Sequence, residues 1–402
     1  MGTAPATDTQ GTAQSSKHIG ALDGIRGIAI LLVLFVHLRN MGVLPQDSWI
    51  CHRLSQVFSF GWSGVDLFFV LSGFLITGIL LDTKAAGNRV RSFYGRRVLR
   101  IFPLYYLVVT VCLAAYVLRR NLPWVQQTWP TPQGWVAYLL YLQNWWMPLV
   151  EPSRMTLLGH LWSLGVEEQF YLIWPACVWL LPRKTLVTLC GGGCLTALAV
   201  RWFCMALYPD ATGWMVYMST ITRMDSLLAG AFCSIAVRDA GLLRKVQRIV
   251  PFAAFTSIVG LLLIVAWARE IWVTGFYTIV FGYSLLAAGF GCCVLSAYLH
   301  SGTNTLVDRA LRMPVLTLFG KYSYGIYVYQ SLVQYPAVHF LQRYAWYGRS
   351  IGYGLLVSVC WLLVPFVVAY LSFHLFEKHF LRLKHRFKPH YGNQLAAKAA
   401  TA

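Results

Sequence analysis

Arg26 and His37 lie in one apolar run near the start of the chain, Leu22-Asp-Gly-Ile-Arg26-Gly-Ile-Ala-Ile-Leu-Leu-Val-Leu-Phe-Val-His37. Their spacing is close to three turns of a helix at about 3.6 residues per turn, so both project from one face. A neutral imidazole within an apolar helix is a candidate general base. Arg97 and Arg100 are three apart at the head of a later apolar run, and two arginines so spaced can fork a phosphate. His160, Ser163, Glu167 and Tyr171 follow one another at intervals of three or four residues and form a polar stripe down a helix, able to hydrogen-bond a hydroxylated ligand. Asp66, Glu168, Arg223 and Asp225 are further ionisable groups within apolar runs. Each such group is a functional hypothesis by default.

Each pattern also has a plainer reading. His37 can be a hydrogen-bonded packing residue, and Arg26 can pair with Asp23 one turn earlier. Asp66, Glu167 or Asp225 can neutralise Arg223 and Lys321 in structural ion pairs, and the stripe can be a seam between packed helices. A Ser-His-Glu hydrolytic set is disfavoured because Ser163 lacks a nucleophile-elbow context. Gly73, beside Ser72, and Gly191 to Gly193 read as close helix contacts through small residues.

The elements that position these residues are membrane helices. The chain has 402 residues, 57% hydrophobic, 15% aromatic and only 12% charged, a composition that fits neither a soluble enzyme nor a disordered protein. Apolar runs long enough to cross about 30 Å of hydrocarbon fall near 26–43, 59–81, 101–118, 161–181, 185–207, 215–237, 249–268, 272–299, 314–340 and 351–376. The net charge of +19 resides between these runs and not in an aromatic-interleaved patch, which argues against nucleic acid. Treating 135–150 as non-spanning puts 22 basic residues in cytoplasmic loops against 8 opposite. If it spans, the bias collapses, against the positive-inside rule.

The expected fold is therefore an all-α integral membrane protein of about ten transmembrane helices with both termini cytoplasmic. A disordered tail covers 1–19, the membrane domain 20–377, and a basic cytoplasmic tail 378–402. An extracytoplasmic aromatic loop spans 119–160. Counting about 1.5 Å per residue puts His37 roughly 16 Å above the cytoplasmic boundary, and Asp66, Glu167 and Arg223 roughly 22–24 Å above it. Neither a disulfide framework nor a metal-ligand spacing is present among the ten cysteines.

Arg26-x10-His37, the stretch Gly64 to Leu75, Arg97-Val-Leu-Arg100 before Ile-Phe-Pro, His160 to Tyr171, and Arg223-Met-Asp-Ser-Leu-Leu-Ala-Gly together resemble, in this order, the acyltransferase-3 family of membrane-bound O-acyltransferases. The likeness runs from about 20 to 377, and the ordered set, not any single motif, is specific. The resemblance implies transfer of an acyl group, commonly acetyl, from cytoplasmic acyl-CoA to a hydroxyl of a glycan, glycolipid or glycosylated small molecule. It implies that Arg26 and His37 are required and that Arg97 and Arg100 hold the donor. With a basic tail and no SGNH hydrolase-like domain after the last helix, the chain resembles the standalone type.

The expected site therefore places His37 as the base, with Asp66 or Glu167 orienting the imidazole or the acceptor. Arg26, Arg97 and Arg100 form the donor end, and His160, Ser163, Tyr171, Arg223 and Asp225 the acceptor side. An acyl-histidine intermediate is the rival mechanism. Acetyl-CoA is the expected co-substrate, with no resident cofactor or metal, and the expected location is the inner (cytoplasmic) membrane. A multi-helix transporter or flippase is the competing class, although no internal repeat supports it.

Overall fold

The computed structural model describes residues 19–45, 47–122, 128–152, 156–208, 213–268 and 272–391. The expected tail at 1–19 lies outside these residues but for Ile19, as does the basic tail beyond 391. Among the described residues the chain is all-helical, without strands. Ten long helices organise it: α1 (Gly20–Met41), α2 (Gly64–Asp82), α3 (Arg89–Arg119), α4 (Trp162–Leu180), α5 (Arg183–Leu207), α6 (Thr220–Ala236), α7 (Ala240–Ala268), α8 (Tyr283–Leu299), α9 (Pro314–Leu341) and α10 (Ile351–Ser372).

Among the described residues seven helical stretches are long and apolar enough to cross a membrane: 20–41, 49–82, 89–119, 183–207, 240–268, 278–299 and 351–387. The three long helices outside that set, α4, α6 and α9, bring Glu167 and Glu168, Arg223 and Asp225, and Lys321 with Gln330 and Gln334. Of these groups Arg223, Asp225 and Gln330 are buried in the protein interior, where the bilayer's cost for polar groups places them, whereas Lys321 is exposed.

Glycine contacts set how these helices meet. A methyl group on Gly73 of α2 would lie 1.9 Å from the Leu227 carbonyl oxygen of α6, and one on Gly230 of α6 would lie 1.8 Å from that of Val70. The same reciprocity joins α1 to α9, with Gly27 against Leu316 at 2.0 Å and Gly320 against Asp23 at 1.9 Å. Small residues permit such backbone approach where no hydrophobic force drives helices together. Of the Gly191 to Gly193 run, only Gly193 makes a close contact, with Leu228; Gly191 and Gly192 have nothing within 4 Å.

Among its described residues the aromatic loop includes the short helices Pro132–Leu139 and Gln143–Val150. Gln143 and Asn144 are fully buried: Gln143 Nε2 donates to the Leu161 carbonyl at 2.7 Å, and Asn144 Oδ1 accepts from Gln169 Nε2 at 2.8 Å. The loop is thereby pinned onto α4. Trp129, Trp135 and Tyr138 are buried against one another, so these rings are closed to the sugar stacking that loop aromatics otherwise permit.

Candidate active site

A groove of about 1020 Å³, counting its open part, runs among α1, α2, α3, α4 and α9. Arg26, Arg97, Arg100, Ser72, Ser163, Glu167, Tyr171, Ser323, Tyr324 and Tyr327 are its polar lining. Arg97 and Arg100 sit eight and eleven residues into α3, about 12 and 16 Å along the helix, so they reach deeper than a surface loop would bring them. The Arg97 guanidinium lies 5.4 Å from the Tyr171 ring centre, and Arg26 bonds Asp23. The structure thus brings the three candidate donor arginines into one groove.

Glu167 faces these arginines from α4, within hydrogen-bonding reach of Ser72 and Tyr171, which also bond one another. Ser163, Glu167 and Tyr171 line the groove from one face of α4. His160 does not join that stripe. It lies in the 3₁₀ turn Gly159–Leu161, ahead of the helix, with Nε2 at 3.2 Å from the Val328 carbonyl. Tyr327 bonds both the Ser163 hydroxyl and the His160 carbonyl, connecting the lining to His160.

His37 is half-buried and outside the lining, close enough to His160 to interact electrostatically. Its imidazole is not held by Asp66 or Glu167. Nδ1 lies 2.8 Å from Oε1 of Gln334 on α9, and Gln334 Nε2 donates to the His37 carbonyl at 3.1 Å.

Asp66, Arg223 and Asp225 also fall outside the lining. Asp66 pairs with Arg223 at 2.7 Å with neither side chain exposed, and Ser226 donates to the same carboxylate oxygen at 3.1 Å. The Arg223 guanidinium lies 3.9 Å from the Tyr283 ring centre, with Phe69, Trp162 and Tyr217 also around it. Asp225 pairs with Arg201 of α5 at 2.8 Å and accepts from Ser284 at 3.1 Å. Asp66, Arg223 and Asp225 therefore differ from the expected catalytic and acceptor placement: low dielectric drives each charge to the nearest opposite one, and they tie α2, α5, α6 and α8 together.

Among the described residues no group of His, Cys, Asp and Glu is arranged to hold a metal ion. Gln334, Tyr327, Ser72 and Arg201 complete these contacts without being among the expected site residues. A signal existed for two of them: Arg201 interrupts an apolar run as Arg223 does, and Gln334 follows Gln330 by one turn within a Tyr-rich stretch. Ser72 and Tyr327 have no such mark.

The acyltransferase-3 family model, described as an acyltransferase domain, matches residues 19–371. The peptidoglycan O-acetyltransferase OatA of Listeria monocytogenes serovar 1/2a is 27% identical over 394 residues, covering 91% of this chain and 56% of that protein. The O-acetyltransferase OatA of Staphylococcus aureus is 24% identical over 384 residues, covering 90% of this chain and 57% of its own length. The putative peptidoglycan O-acetyltransferase YrhL of Bacillus subtilis is 30% identical over 386 residues, covering 91% and 55%. The chain spans little more than half the length of these relatives. No solved structure matches it. With the family model aligned over most of its length and the candidate arginines gathered in one groove, the chain belongs to the acyltransferase-3 family.

Proposed function

We propose that this protein is a multi-pass O-acyltransferase of the inner (cytoplasmic) membrane that moves an acetyl group from acetyl-CoA to a hydroxyl of a cell-surface glycan. The observation that supports it best is the convergence of Arg26, Arg97 and Arg100, from two helices, on one groove whose opposite wall carries Glu167, Tyr171 and Ser163. Three cations facing a narrow groove suit a phosphorylated nucleotide with a thin acyl-bearing arm. The names of the Listeria and Bacillus relatives, a peptidoglycan O-acetyltransferase and a putative one, motivate peptidoglycan as the acceptor.

In this reading the arginines hold the donor phosphates and the pantetheine arm runs from them toward Ser163 and Tyr327. The acceptor hydroxyl attacks the thioester carbonyl while His37 takes its proton, and the CoA thiolate leaves and is protonated. Glu167, Tyr171 and Ser163 orient the acceptor from the groove, His160 stands beside His37 outside the groove lining, and Asp66, Arg223 and Asp225 act as a frame. The topology proposed with it has ten crossings and both termini cytoplasmic, α4, α6 and α9 being the polar crossings.

Purified protein in proteoliposomes with radiolabelled acetyl-CoA and muropeptide oligosaccharides tests the reading. Label is expected on a sugar hydroxyl with wild type and not with His37→Ala. Substrate movement without acetyl-CoA, or His37→Ala activity equal to wild type, overturns it, the former in favour of a transporter. Label retained on the protein after donor alone would favour the acyl-histidine route over direct transfer.

A further inference from the structure

We propose that Gln334 is the positioning residue for His37, holding the imidazole as the Nδ1–H tautomer so that the Nε2 lone pair is the one that takes a proton. This rests on the reading of His37 as the base. The amide of Gln334 meets the same residue twice, through Nε2 to the His37 carbonyl at 3.1 Å and through Oε1 to Nδ1 at 2.8 Å.

The two contacts fix each other. A backbone carbonyl only accepts, so the amide NH2 must face it, and the amide oxygen must then face the ring. That oxygen also only accepts, so Nδ1 must carry a hydrogen. A neutral imidazole has one hydrogen, and placing it on Nδ1 leaves Nε2 as the acceptor. The carbonyl thus fixes the amide orientation, and with Nδ1 facing the amide oxygen the tautomer follows.

The clamp is built into the helix packing. Gly27 against Leu316 and Gly320 against Asp23 set how α1 meets α9, and Gln334 lies on that same α9, opposite His37 of α1. From the other side, Trp361 Nε1 of α10 donates to the Leu34 carbonyl at 2.9 Å, holding α1 one turn before His37. His160, in the turn before α4, is close enough to His37 to interact with it electrostatically.

The test combines nitrogen NMR of histidine-labelled protein in lipid nanodiscs with kinetics of acetyl transfer. The His37 signals are assigned by their loss in His37→Ala. In wild type the protonated nitrogen is expected to be Nδ1. Gln334→Leu should shift population to the Nε2–H form and lower kcat about 10-fold or more, part of the roughly 10²–10⁴-fold a positioned base supplies, with KM for acetyl-CoA unchanged. Gln334→Glu, which keeps an acceptor at Nδ1, should stay closer to wild type. An Nε2–H tautomer in wild type, an unaltered kcat in Gln334→Leu, or equal kcat losses in the two variants would overturn the proposal. The wild-type spectrum decides even where Gln334→Leu fails to fold. Full activity in His37→Ala would instead remove the base role itself, leaving the tautomer measurement standing.

Discussion

Asp66 and Arg223 meet at 2.7 Å with neither side chain exposed, joining α2 to α6 through a charge pair in the protein interior. A pair so buried gains little net stability over an apolar replacement, but removing one partner strands the other in low dielectric. Asp66→Ala is therefore expected to cost about 3–5 kcal/mol, seen as a lower Tm in detergent and a reduced monodisperse yield. Asp66→Leu combined with Arg223→Met should recover most of that loss. A double variant as unstable as the single one would show that these residues do more than neutralise each other.

The ionisable residues of the apolar runs were legible as a set, and their division was not. Asp66, Glu167, Arg223 and Asp225 all interrupt apolar runs at a similar expected depth, and nothing in the spacing says which face of each helix they occupy. Packing decides: Asp66 and Asp225 each find a guanidinium, whereas Glu167 faces the groove beside Arg97. The partner of His37 was hidden for a related reason. Gln334 is 297 residues away, and although it follows Gln330 by one turn in a Tyr-rich helix, nothing in the sequence pairs it with His37; the glycine contacts that align α1 with α9 do. The positions of the seven apolar stretches, by contrast, follow from hydropathy, since backbone groups in lipid must be bonded within their own helix.

Gly73 and Gly191 should respond oppositely to alanine. Gly73→Ala places a methyl 1.9 Å from the Leu227 carbonyl oxygen, which forces α2 and α6 apart and disturbs Ser72 beside the groove. Loss of thermal stability and of activity together is expected. Gly191→Ala meets nothing within 4 Å, and alanine favours a helix interior over glycine by roughly 0.5–1 kcal/mol. Its Tm should be equal to or above wild type. A Gly73→Ala protein with wild-type Tm would contradict the close approach.

Arg97 should act on the donor and not the acceptor. A hydrogen bond to a charged group is worth about 1.5–3 kcal/mol, so Arg97→Ala should weaken acetyl-CoA binding by roughly 10- to 100-fold in calorimetry. Arg97→Lys should recover only part, because an ammonium has no fork to present to a phosphate and loses the guanidinium's stacking on the Tyr171 ring. A change confined to acceptor affinity would count against the donor assignment.

Glu167 offers a test in which two effects carry opposite signs. Its carboxyl group stands among Arg97, Ser72 and Tyr171, where the ionised form opposes an incoming polyphosphate. Glu167→Gln keeps the shape and a hydrogen-bonding oxygen but removes that charge. Acetyl-CoA should then bind as tightly as wild type or more tightly, since Arg97 loses a competing anion. If Glu167 orients the acceptor as proposed, kcat should nevertheless fall, on the order of 10-fold, through loss of a charge-assisted hydrogen bond to the hydroxyl. Weaker donor binding with an unaltered kcat would assign Glu167 to holding the arginines in place, and would take it out of the acceptor side of the groove.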